Sequence, residues 1–144
     1  MIARHFMNKL SIARSATISS LLYAVGFIGY VVNRGSESSL TSKLITGSVM
    51  FAVLALPAIL FYAIHLRGKP RSGPAWRPTV LCMAAGLFLL IWIGWTPLIT
   101  RAMQSDPLGA LGIVWVPVCQ IGTWLLVALA LAVSAWKTEP HDGG

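Results

Sequence analysis

The chain has 144 residues, of which 56% are apolar and only 10% charged, and its mean hydropathy is +0.75. Soluble domains carry about 25% charged residues. Four acids and eleven bases therefore do not coat a water-soluble globule, which excludes a soluble enzyme, a disordered tail, a secreted disulfide scaffold and a nucleic-acid module, and leaves an all-α polytopic membrane protein.

Residues 1–16 are basic, with Arg4, Lys9 and Arg14. Ile2, Phe6, Leu10 and Ala13 share one helical face, which suits a short helix lying in the headgroup region. The first apolar run, 17–33, begins among the polar residues Ser15 to Ser20 and ends Gly-Tyr-Val-Val-Asn. No small-residue cleavage site follows it, so it reads as a retained span and not as a signal peptide.

The second span covers 44–66, with Thr41 or Ser42 as its cap. The connection from Arg67 to Pro78 holds three prolines and is expected to be extended. Pro78 opens the third span, 79–100, and Pro97 is expected to be closing it. Ser105-Asp106-Pro107 gives a helix-start signal for the fourth apolar stretch, 108–136.

From Pro107 to Trp136 a continuous helix would measure about 45 Å, too long for one upright span. Counting about 20 residues back from Trp136 reaches Val116. Pro117 follows and frees the carbonyl of Ile113. Leu108 to Trp115 is therefore expected as a short kinked segment at the far face, with one tilted helix as the alternative. The four spans make one domain, 17–136, followed by a short tail, 137–144.

Four spans place Arg4, Lys9, Arg14, Arg67, Lys69, Arg71, Arg77 and Lys137 on one side of the membrane and Arg34, Lys43 and Arg101 on the other. Loops rich in Lys and Arg stay inside. The expected arrangement is a compact bundle in a bacterial inner membrane, with both termini and the middle connection in the cytoplasm.

The chemistry is sparse. Glu37, Asp106, Glu139 and Asp142 all lie outside the spans, and no base sits at mid-depth. Proton-coupled exchange needs a buried ionisable group, and none is offered. His65 and Met83 lie at similar depth as an axial pair for haem would, but a boundary histidine beside Arg67 reads instead as an interfacial residue. Cys82 and Cys119 fall on opposite sides and cannot bond. No catalytic set, metal site or cofactor is expected.

Several polar residues fall at similar depth in the half away from the basic loops: Tyr30, Asn33, Thr46, Ser48, Thr96, Gln120 and Thr123. Five of these, Asn33, Ser48, Thr96, Gln120 and Thr123, would line an outward-facing vestibule. The alternative is hydrogen bonding between helices. Trp115 and the mid-span Trp124 are the candidates to dock a partner, with packing in the core as the alternative for Trp124. Arg67, Lys69, Arg71, Trp76 and Arg77 are expected to meet the inner leaflet.

The expected function is a non-catalytic interaction protein, either an accessory subunit of a membrane complex or a membrane-resident immunity or inhibitor protein. Its partners are the lipid bilayer and a membrane or secreted protein, not nucleic acid. The alternatives are an oligomeric channel or carrier for a small neutral solute, and a membrane enzyme or electron-transfer subunit.

Overall fold

Proline placement shapes the architecture. In the computed structural model, which describes residues 2–35, 39–67 and 75–138, every assigned element is helical. The elements are α1 (Ile2–Arg34), α2 (Leu40–Phe61), a π-turn (Tyr62–Leu66), α3 (Arg77–Ser105), a 3-10 helix (Pro107–Val114) and α4 (Trp115–Thr138). Four stretches of 24–29 residues are long and apolar enough to cross a membrane, where about 20 suffice.

Pro78 lies in the first turn of α3, where its missing N–H would have no partner in any case. Pro57 and Pro97 instead lie inside α2 and α3. Pro97 does not end its helix, contrary to the sequence expectation. The Thr96 hydroxyl donates to Trp92 O at 2.7 Å and the Thr100 hydroxyl to Thr96 O at 2.7 Å, on either side of the proline. Neither acceptor is the carbonyl of Ile93, the one that loses its i−4 donor to the proline. Below Pro57 the ladder of α2 slips to wider spacing, and Arg67 N–H reaches Tyr62 O at 2.8 Å.

The cap of α2 also differs from expectation. Ser39 is extended and its hydroxyl accepts from Ser42 N–H at 3.1 Å, so the cap lies two or three residues before Thr41 and Ser42. At the other end of the chain Asp106 is extended, as a residue before proline prefers. Gly109 N–H donates to Asp106 O at 2.9 Å, starting the 3-10 helix. The long fourth stretch therefore divides at Trp115. Pro117 falls in the first turn of α4 and interrupts nothing.

α1 runs unbroken from Ile2 into its apolar part, with no boundary near residue 16. Leu10 and Ala13 are buried in the bundle. This part of the amphipathic face turns inward against the other helices.

Cross-helix contacts fix the directions. Lys9 Nζ donates to Thr79 Oγ1 at 2.8 Å, and Tyr23 Oη lies 2.6 Å from Thr96 Oγ1, so α1 and α3 run parallel. Arg14 Nε donates to Leu66 O at 2.8 Å, and Lys43 Nζ to Asn33 Oδ1 at 3.4 Å, so α2 returns antiparallel to α1. α1 packs on α2 and α3, α4 packs on the same two, and α1 and α4 take opposite corners. The start of α1, the π-turn, the start of α3 and the end of α4 thus share one basic end. The Asp106 turn, the end of α1 and the start of α2 share the other, the turn end.

The interior forms two clusters. Leu10, Ala13, Phe61, Leu81, Phe88 and Val127 gather toward the basic end. Phe27, Val31, Leu54, Trp92, Ile99 and Val116 gather toward the turn end. Phe61 and Phe88 meet across the centre at 5.0 Å between ring centroids, and Phe27 meets Trp92 edge-on at 6.0 Å.

Candidate functional site

The five residues expected to line one vestibule are distributed over four places. Thr96 faces α1. Its own proton goes to Trp92 O, so Tyr23 Oη donates to it. Thr123 is half-buried and its hydroxyl returns to Cys119 O at 2.9 Å. Gln120 is fully buried; its Nε2 donates to Phe88 O at 3.4 Å while Oε1 has no partner.

Asn33 and Ser48 do come together. They line an open groove of about 670 Å³ between the end of α1 and the start of α2. Val25, Ile28 and Val32 form one wall, and Leu44 and Phe51 the other. Gly29 and Gly47 widen it; a Cβ at Gly29 would meet nothing within 4 Å, and one at Gly47 would meet only Val32 Cγ2 at 3.8 Å. Lys43 reaches Asn33 across its mouth. One residue further along α1, the Arg34 guanidinium stands 5.3 Å over the Tyr30 ring.

The two tryptophans separate. Trp115 is exposed. Trp124 is half-buried and turned inward, where Nε1 donates to His65 Nε2 at 3.0 Å, so it holds α4 to α2 and does not face outward. His65 lies on the π-turn between the rings of Phe61 at 5.3 Å and Trp124 at 6.2 Å. Both residues stand out in the sequence, one as a boundary histidine and one as a mid-span aromatic, but their pairing is not legible there. Met83, the other residue weighed with His65, is 65% exposed on α3.

At the basic end Arg67 is exposed, and Trp76 and Arg77 are half-buried around the start of α3. Lys69 and Arg71, expected beside them at the inner leaflet, lie outside the described residues. Lys9 and Arg14 join this end from α1, a contribution the sequence reading assigned to a separate interfacial segment. Cys82 and Cys119 are free thiols. Among the described residues no three His, Cys, Asp or Glu side chains gather as a metal set.

Compared with known proteins, the chain matches no family model, no curated protein and no solved structure. The geometry alone therefore carries the functional reading.

Proposed function

We propose that this chain is a non-catalytic integral membrane protein that works through protein–protein contacts, as an accessory subunit of a membrane complex or a membrane-resident immunity or inhibitor protein. In this reading the basic end faces the cytoplasm of a bacterial inner membrane, with Arg67, Lys69, Arg71, Trp76 and Arg77 at the inner leaflet. The partner is a membrane protein that presents an apolar helix.

The observation that supports it is the division of labour between polar and apolar side chains. Tyr23 with Thr96, Trp124 with His65, Lys9 with Thr79 and Arg14 with Leu66 O join one helix to another. α4 meanwhile has the smallest buried share of the four apolar stretches. Val118, Ile121, Leu125, Leu129, Val133 and Trp136 are all exposed along it. Their spacing of three and four residues makes one stripe. It extends for about 27 Å, close to the thickness of the hydrocarbon core. Gly122 lies within the stripe and leaves open space for a close approach. A partner helix needs a face of this height.

Photocrosslinkers placed at Leu125 and Leu129, with Met83 on α3 as the control position, test the reading in mild detergent. One identified membrane protein captured in stoichiometric yield from α4, and not from α3, is the expected result. Isolation of the chain alone, with equal lipid adducts from all three positions, would overturn it.

A further inference from the structure

The groove between α1 and α2 has a shape and polarity that α4 lacks. Its walls run from Asn33 to Val25 on α1 and from Lys43 to Phe51 on α2. Each covers nine residues, about 12 Å along the axis. That is close to one leaflet, since the whole hydrocarbon core is about 30 Å. Beyond this depth Ala24, Leu54 and Ala55 are buried and the groove is closed. A transmembrane helix of another protein would need a face twice as tall, so the groove does not fit one.

What fits is a molecule with apolar chains one leaflet long and a polar head. The mouth sets the charge of that head. Lys43 carries three donors and no acceptor, and one of them is used on Asn33 Oδ1 at 3.4 Å. Two remain for an anion. The Arg34 guanidinium beside Tyr30 adds a second positive charge at the same end of α1. The Ser48 hydroxyl lines the groove one and a half turns further in.

We propose that this groove is a binding site for a single membrane phospholipid, with the phosphate at the Lys43 ammonium and acyl chain along Val25, Ile28 and Phe51. Gly29 and Gly47 make room for the chains, because any side chain there would point into the groove. The proposal rests on the membrane reading above, and on nothing assigned to α4.

Phosphatidylglycerol and diacylglycerol, matched in acyl chains, are added separately to the delipidated full chain. Native mass spectrometry then reads the bound ratio. The wild-type chain is expected to retain one phosphatidylglycerol. Lys43→Gln is expected to lower its affinity about tenfold, the loss of one charge-assisted contact, and to leave diacylglycerol unchanged. Gly47→Leu is expected to reduce both lipids, and Gly122→Leu on α4 neither. Circular dichroism melting identifies variants that remain folded, and Ser48→Leu, which fills the same groove, substitutes for Gly47→Leu if that variant unfolds. Equal retention in the Lys43 and groove variants, or a spread of adducts with no single stoichiometry, would overturn the proposal. A chain that stays dispersed without detergent would sink the membrane reading instead, before any lipid is added.

Discussion

Trp124 Nε1 donates to His65 Nε2 at 3.0 Å, and this bond joins the middle of α4 to the π-turn at the end of α2. An accepting Nε2 places the imidazole proton on Nδ1. The widened turn carries the ring toward α4, with the Phe61 ring tilted against it at 5.3 Å. Single π-turns inside α-helices are frequent at functional sites.

The bond predicts coupling between the two positions. Trp124→Phe and His65→Leu should each lower stability in detergent unfolding, and the double variant should cost less than their sum. The expected coupling is about 0.6–1.7 kcal/mol, the range of measured bonds between membrane helices. Additive losses would show that the bond contributes nothing.

Gln120 is the second point. Its side chain is fully buried, its Oε1 has no partner and its amide contact is long at 3.4 Å. Replacing a poorly satisfied polar group by an apolar one of similar shape is close to neutral. Gln120→Leu should therefore keep stability within about 1 kcal/mol of the parent, whereas Gln120→Ala, which leaves a cavity, should cost about 2 kcal/mol or more. A solute channel lined by this residue would show a different signature, a change of flux in liposomes with Gln120→Leu.

The Asp106 turn gives a third. A Cβ at Gly109 would overlap the backbone of Ala102, a neighbour that cannot swing aside. At Gly112 a Cβ would meet Ile99 Cγ1 at 3.6 Å, an ordinary contact. Gly109→Ala should cost about 1–3 kcal/mol, as overpacking does, and Gly112→Ala much less. Thermal melts of the two variants in one detergent make the comparison, and equal melting temperatures would refute it.

Sidedness can be measured directly. With Cys82 and Cys119 replaced by Ala, a cysteine at Arg67 should be shielded from a membrane-impermeant maleimide in intact cells, and one at Asp106 should react. The reverse pattern would invert the orientation drawn from the basic residues.

The four apolar helices and the division of the long fourth stretch before Trp115 are legible because hydrophobic length and proline position are local properties. Pro97 misleads for a physical reason. Proline at position 97 removes one N–H, so one carbonyl, that of Ile93, loses its i−4 donor, and the helix runs on past it to Ser105 with the turns on either side intact. The sequence does not mark Ser39 as the cap, because the apolar run proper starts later, at Leu44. The polar residues were placed at a common depth by counting, but counting does not give the rotation of each helix. Rotation sends Thr96 toward Tyr23, Gln120 toward Phe88 and only Asn33 and Ser48 into the groove. The pairing of His65 with Trp124 depends in addition on the wider π-turn, which no spacing in α2 announces.

The two apolar clusters meet at the level of Ser20 and Gln120, where the serine hydroxyl and the amide oxygen are buried without partners. The side-chain bonds Lys9–Thr79, Arg14–Leu66 O and Trp124–His65 lie on one side of this seam and Tyr23–Thr96 on the other, while the helix backbones run through it; in the membrane orientation proposed above, each storey of aromatic rings would meet its own monolayer. Lateral pressure applied to one monolayer would then loosen one storey while the other stays firm. Amide hydrogen exchange in asymmetric vesicles should separate into two rates, whereas a single uniform rate would mean that the storeys yield together.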